Sequence, residues 1–213
     1  MKRFFVPLFS FILLGVSGSG YTLLQSTGVF TGYTHIGNPE KSGAFNYSIS
    51  EQVYTLEGAS GNMWFDHDDF HFIWKKVKGD FILEATVEFV GKGVEPHRKV
   101  GWMVRQNLDA NSPHINAVVH GDGLTSLQYR KVIGGMTEEV TTEIVAPTQL
   151  KLERKGNLYK MSAARMGEPF VTAEYSELVL SDEVYIGLFL CSHNETAIEK
   201  GIFRDVKITV AKK

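Results

Sequence analysis

The 213-residue sequence has one cysteine, almost no net charge and, beyond its first twenty residues, no long apolar run. With Cys191 alone, no intramolecular disulfide can form, so stability has to come from packing. Cys191 itself lies in the apolar string YIGLFLC and reads as a small buried hydrophobe. Lysine and arginine number 22 against 24 aspartates and glutamates, a formal charge of -2. Such a balance gives no pull toward nucleic acid or an anionic membrane. Helical periodicity is also nearly absent, as are internal repeats and linkers rich enough to divide the chain.

The one apolar stretch is N-terminal. Lys2 and Arg3 precede Phe4 to Val16, and small residues follow from Ser17 to Gly20. The run is shorter than the roughly 20 residues of a membrane span and has the layout of a cleaved secretory signal. Residues 1–20 are therefore expected to be a signal peptide and residues 21–213 a single domain. The mature chain would then be exported, periplasmic or extracellular, with no stable membrane insertion and a charge of -4.

Strand-like alternation fills the rest. It recurs over residues 52–56, 70–77, 81–89, 100–106, 115–120, 126–131, 139–145, 149–154, 159–164, 170–175, 184–191 and 202–210. Turn residues such as Lys78-Gly79-Asp80, Gly121-Asp122-Gly123 and Lys155-Gly156-Asn157 punctuate the gaps. About a dozen short, evenly spaced strands predict an all-β sandwich or barrel. In FILEATVEF, Phe81, Leu83, Ala85, Val87 and Phe89 form an apolar face that must pack on the core. In FHFIWKKV, Phe70, Phe72 and Trp74 share a face opposite His71, Ile73 and Lys75, and that aromatic face suits either a core or a sugar platform.

The phrases NMWF-x-x-DDFHFIWKKVKGDF, VGWMVRQNLDANSPH, HGDGLTSLQYR, LKLERKGNLYKMSAA and VYIGLFLCSH, taken together, carry a resemblance. They resemble a bacterial exported family of uncharacterised function with a concanavalin-A-like jelly roll, related to domains beside TolB-type propellers and at the ends of some glycosidases. The resemblance spans residues 54–210. It implies a sandwich of two curved antiparallel sheets whose concave face often binds carbohydrate, and it implies no known reaction.

Several chemistries could occupy such a sandwich. Retaining and inverting glycosidases need paired carboxyl groups about 5–5.5 Å or 6.5–9.5 Å apart. Glycosidases of the superfamily often carry a glutamate pair on one strand; Glu84 and Glu88 are the only local echo and would stand about 13 Å apart on a regular strand. Asp66, His67, Asp68, Asp69 and His71 form the densest group of oxygen and imidazole ligands, which leaves a structural calcium open, although capping of backbone N–H groups explains the aspartates better. No other cofactor is expected. Cys191 and His193 share a strand face without a third residue to orient them.

Ligand binding is the expectation that survives. Gly101, Met103 and Arg105 share one face, Gln128 and Arg130 another, and Gly187, Phe189, Cys191 and His193 a third. A polar floor of Arg105, Gln128, Arg130 and His193, with His71 beside it and Trp64 and Trp74 at its rim, suits a carbohydrate or other polar small ligand. The alternative is that the arginines pair with acidic residues and stitch the sheet together, the reading preferred for His120. Three functions follow in order: a non-catalytic carbohydrate-binding module, a glycoside hydrolase or lyase using His193 with a carboxylate, and a structural domain of the cell envelope.

Overall fold

The computed structural model describes residues 26–38 and 43–211; the expected signal peptide lies outside the described residues. Among the described residues, fourteen strands form two sheets. They are β1 (Gly32–Ile36), β2 (Ala44–Ser48), β3 (Val53–Ser60), β4 (Phe70–Lys78), β5 (Phe81–Phe89), β6 (Lys99–Arg105) and β7 (His114–His120). The chain continues through β8 (Thr125–Arg130), β9 (Glu138–Thr141), β10 (Gln149–Lys155), β11 (Leu158–Ala164), β12 (Val171–Tyr175), β13 (Glu183–Cys191) and β14 (Asn194–Val210). The first sheet runs β1-β4-β13-β6-β7-β8-β9 and the second β12-β11-β10-β5-β14-β3-β2, all pairings antiparallel. This is an all-β, two-sheet sandwich, one of the two forms that the alternation predicts, and it has the jelly-roll fold that the resemblance implies. No helix among the described residues is long and apolar enough to cross a membrane.

The main core lies between the sheets. Strand β5 contributes Phe81, Leu83, Ala85 and Val87, and faces Trp102, Val104, Ile115, Leu127 and Leu188 across the gap. Alternation does this work: each inward residue is followed by one that faces outward. Two strands escape the pattern, β1 and β2, which are five-residue edge strands of mostly half-exposed residues. The first half of β14 also escapes it, because its buried positions before Phe203 are Glu199 and Gly201 rather than large hydrophobes.

A second apolar cluster sits on the outer face of the first sheet: Phe70, Phe72, Met103, Val118, Phe189 and Cys191, with Ile36 and Met63. The aromatic face of β4 is therefore neither in the main core nor an exposed platform. It is roofed by residues 62–69, the connection between β3 and β4, which crosses the outer face as a strap. Met63, fully buried, is the apolar underside of that strap.

The strap is fastened at Asp68. Its carboxylate accepts two parallel bonds from Arg130, Nη2 to Oδ1 at 2.7 Å and Nη1 to Oδ2 at 2.9 Å. Arg105 Nη1 lies 3.3 Å from Oδ2, and all three side chains have no solvent exposure. Arg130 also donates to the carbonyls of Phe65, Gly135, Ala110 and Ser112, and Arg105 to those of Asn107 and Asp109. Two guanidiniums thus organise three connections: residues 62–69, 107–113 and 132–137. Arg105 and Arg130 consequently cannot serve as a ligand floor; they are the stitching that the sequence leaves as the alternative, and their partner is an aspartate from the segment considered for calcium. Asp69 accepts instead from Gly61 N–H (2.9 Å) and Asp66 pairs with His67 (2.7 Å), so the acidic run disperses to separate partners.

Removing one member of a buried ion cluster leaves uncompensated charge, a penalty of about 3–5 kcal/mol. Asp68→Asn, which strands two guanidiniums, is expected to lower the unfolding free energy by about that amount. Arg130→Lys keeps the charge but loses the fork, and should also destabilise. Urea denaturation of the three proteins measures both.

Candidate functional site

Beyond the strap, one end of the outer face remains open as a cleft of about 280 Å³. Its walls come from several places. Asn62 and Trp64 belong to the strap, His97 to the connection before β6, His193 to the turn between β13 and β14, and Leu124 to the β7–β8 turn. Lys99, His120, Gln128 and Glu139 project from β6, β7, β8 and β9. The loop bearing His97 is held by a buried pair, Arg98 with Glu199, and by Arg98 stacked 4.2 Å over the Phe89 ring. His193 adopts a left-handed backbone, φ 56°, which turns the chain back toward the second sheet.

The floor is polar and under-used. Gln128 Nε2 donates to His120 Nε2 (3.2 Å) and to Glu139 Oε2 (3.3 Å). Yet Gln128 Oε1 and His120 Nδ1 of the lining, and Ser126 Oγ and both amide atoms of Asn116 next to them in the sheet, are buried and meet no partner among the described residues. These residues are neighbours: Asn116 pairs with Gln128, and Val118, two residues further along the same face of β7, pairs with Ser126. Each such atom costs about 1–3 kcal/mol if left unpaired. A fold that keeps several together retains hydrogen-bonding capacity at the expense of stability.

Imidazoles gather here as well. The His97 ring centre lies 5.9 Å from that of His120 and 5.6 Å from that of His193, while Glu95 Oε1 is 3.9 Å from His193 Nδ1. Burial, and next the Lys99 ammonium, push His120 down to about 3; the same two causes lower His193. At neutral pH both rings are uncharged, and each offers one donor and one acceptor. Among the described residues no group of three His, Cys, Asp or Glu side chains could hold a metal ion.

Of the residues that the sequence puts forward, the structure brings Trp64, Gln128 and His193 together in the cleft. Arg105 and Arg130 lie in the ion cluster. His71 points the other way, between the sheets, donating from Nε2 to the Ala59 carbonyl (3.0 Å) with Nδ1 facing the Tyr33 hydroxyl at 3.4 Å. Trp74 stays on the outer face but away from the cleft, edge-on to Tyr185 and packed over Gly32, where a Cβ would come within 2.4 Å of its ring. Sequence reasoning misses Asn62, His97, Lys99, Leu124 and Glu139. Lys99 is within its reach, since extending the Gly101–Met103–Arg105 alternation back by one step puts it on the same face.

Other polar features are spent on the fold. Glu84 pairs with Lys151 (2.7 Å) and Lys207 (3.6 Å), and Glu88 with Arg204 (2.7 Å), all on the outer face of the second sheet. A hollow of about 360 Å³ there is lined by Glu84, Lys151 and Lys207, and none of its lining side chains has a buried polar atom without a partner. Cys191 is fully buried, its Sγ 3.4 Å from the Gly61 carbonyl, and burial pushes the thiol up.

Fold and site together define a jelly-roll sandwich with a polar side cleft beside a strapped sheet. No protein-family model matches the sequence, and no curated protein matches it. Solved structures do match. A functionally unknown protein from Saccharomyces cerevisiae superposes with a TM-score of 0.63 at 14% identity, over 85% of this chain and 97% of that one. Alginate lyase A1-II', a member of polysaccharide lyase family 7, gives 0.54 at 8% identity over 79% and 84%. The alginate lyase from Klebsiella pneumoniae gives 0.53 at 13% over 78% and 84%. At these identities the likeness is one of fold.

Three buried histidines tie stability to pH. Burial holds His71 and His114 at about 4 and His120 at about 3, against about 6.5 in the unfolded chain. The unfolded state therefore binds more protons below pH 6.5, and stability that is fully present above that value is lost as pH falls toward 4. Each histidine contributes roughly 1 kcal/mol per pH unit in that window. Urea midpoints should be flat from pH 8 to 7 and drop steadily between pH 6.5 and 4.5; a level profile down to pH 5 would contradict the buried neutral imidazoles.

Proposed function

We propose that this protein is an exported, non-catalytic module that binds carbohydrate in the cleft bounded by Trp64, His193, Lys99 and Gln128. The observation that carries the reading is the pair of unpartnered polar atoms on the lining residues His120 and Gln128, backed in the sheet by those of Asn116 and Ser126 and set beside a half-buried indole. Sugars match that combination, because hydroxyls satisfy amide and imidazole groups while the C–H face of the ring lies on an aromatic plane. The fold-level likeness to alginate lyases fits a carbohydrate ligand. Export rests on residues 1–20 and on nothing in the fold.

The size of the cleft bears on the ligand. A volume near 280 Å³ is at the lower limit for small-molecule pockets and accommodates about one or two sugar rings. The strap closes the face beside the cleft, so the ligand is a short oligosaccharide or the end of a chain.

A second reading is favoured by one observation, the meeting of three imidazoles with Glu95. A glycoside hydrolase or lyase would use such a place for proton transfer, His193 being the group with a carboxylate near its Nδ1.

Titration calorimetry against a panel of neutral and acidic oligosaccharides of one to six units tests both. Binding is expected to plateau by two or three units and to weaken about tenfold or more in Gln128→Ala and Trp64→Ala. Trp74→Ala should leave affinity unchanged. No binding across the panel would end the carbohydrate reading. Release of new reducing ends or unsaturated products, lost in His193→Ala, would establish the enzyme instead.

A further inference from the structure

Lys99 is the unusual charge in this molecule. Only 2% exposed, it begins β6 with its side chain on the outer face, at the wall of the cleft. Its ammonium donates to the His97 carbonyl (3.1 Å) and to Asn62 Oδ1 (3.4 Å), both neutral acceptors. An ammonium has three protons, so one remains. Among the described residues each of the other buried cations has a carboxylate or several carbonyls. Arg98 has Glu199, Arg105 and Arg130 have Asp68, and Arg154 fills its fork with the carbonyls of Gly156, Leu180 and Ser181.

The carboxylates around Lys99 act from a distance. Glu95 accepts from His97 N–H (3.2 Å), Glu139 from Gln128 and Asp122 from Leu124 N–H (3.0 Å). All three help to hold the ammonium protonated against burial, which lowers its pKa. None forms an ion pair with it among the described residues. Asn62 Oδ1 also accepts from Met63 N–H (2.7 Å), so the amide NH₂ of Asn62 is a second donor next to the ammonium. The neutral rings of His120 and His193 add no competing charge. A buried cation with a spare proton and an amide donor beside it, at the wall of an open cleft, is a receptor for an anionic oxygen pair.

We propose that the cleft takes an acidic sugar, with the carboxylate of a uronic acid unit bound at the Lys99 ammonium. The proposal rests on the carbohydrate reading and adds its charge class. Glu139 and the unpartnered atoms of the floor would then meet the hydroxyl groups.

Calorimetric titration with short oligogalacturonates and oligomannuronates, each paired with its carboxyl-reduced counterpart, isolates the charge because reduction leaves the ring stereochemistry intact. The expected result is binding of at least one uronate series, about tenfold or more tighter than its reduced partner. Lys99→Met should abolish that preference, and Lys99→Arg should restore part of it. Preference in the native protein should also decline as salt rises from 50 to 500 mM, a readout that stands even if Lys99→Met fails to fold. Equal affinity for acidic and reduced forms, or a preference that survives Lys99→Met, overturns the proposal while leaving carbohydrate binding intact. Binding of sulfated sugars alone overturns it in favour of another anion. Absence of binding to every ligand overturns it together with the carbohydrate reading.

Discussion

The carboxylate of Asp68, closed in between Arg130 and Arg105, is the contact on which the arrangement of the outer face depends. A buried ion cluster of this kind is not a large source of net stability, because desolvation consumes most of the attraction. Its value is positional. A guanidinium fork accepts a carboxylate in one plane and at one distance, so the strap cannot slide along the sheet. The same two arginines bind carbonyls of three connections, which fixes those loops relative to one another. Once the strap is fixed, Met63 is pressed onto Phe70, Phe72 and Phe189, and a sheet face that would otherwise be open becomes a second core. At one end of the face the strap stops short and leaves the cleft.

Much of the fold is legible in the sequence because strand alternation is a local property. The alternation of β5 marks both of its ends, and most other strands fall within one or two residues of their expected limits, since inward and outward positions differ in polarity wherever one face is buried. Legibility ends where that contrast weakens, as in the edge strands β1 and β2 and in the part of β14 whose inward positions are Glu199 and Gly201. The site is harder to read, because it is made by contacts between residues far apart in sequence. Asp68 and Arg130 are 62 positions apart. Unpaired guanidiniums in a sheet are costly, so the arginines demand a partner, and the aspartate run stands out as well. Nothing in local pattern joins the two. Sequence alone therefore treats them separately, the arginines as a ligand floor or ion-pair partners and the aspartates as backbone caps or a calcium site, and does not show that Asp68 is the arginines' partner.

The two ends of the first sheet show what burial does to charge. At the strapped end, two cations and one anion pack with His114, which burial keeps neutral at about 4 although Asp68 lies 3.6 Å from its Nδ1. Every charge there is in contact with an opposite one. At the cleft end, Lys99 sits among neutral rings and amides, with carboxylates only at longer range. The same strand, β6, carries both, Arg105 at one end and Lys99 at the other, on one face and six residues apart. Ion-paired cations mark the strapped end of the sheet, although Arg105 Nη1 and His114 Nε2 there have no hydrogen bond. A cation with neutral acceptors alone marks the cleft end.

That contrast limits what the likeness to alginate lyases can carry. A jelly roll supplies a sheet with one outer face, and many chemistries can be placed on such a face, so shared architecture fixes the stage without fixing the reaction. In this chain a substantial share of the face is sealed by its own strap, and the chemistry has to come from the nine residues left at the edge. Those residues include neutral imidazoles, amides with free valences, one indole and one unpaired ammonium. They lack two carboxylates that could act in concert, because Glu139 holds Gln128, while Glu95 caps His97 and approaches His193 only at 3.9 Å. Such a set can hold a polar ligand and lacks the carboxylate pair that a glycoside hydrolase uses, while its imidazoles are groups that can move a proton.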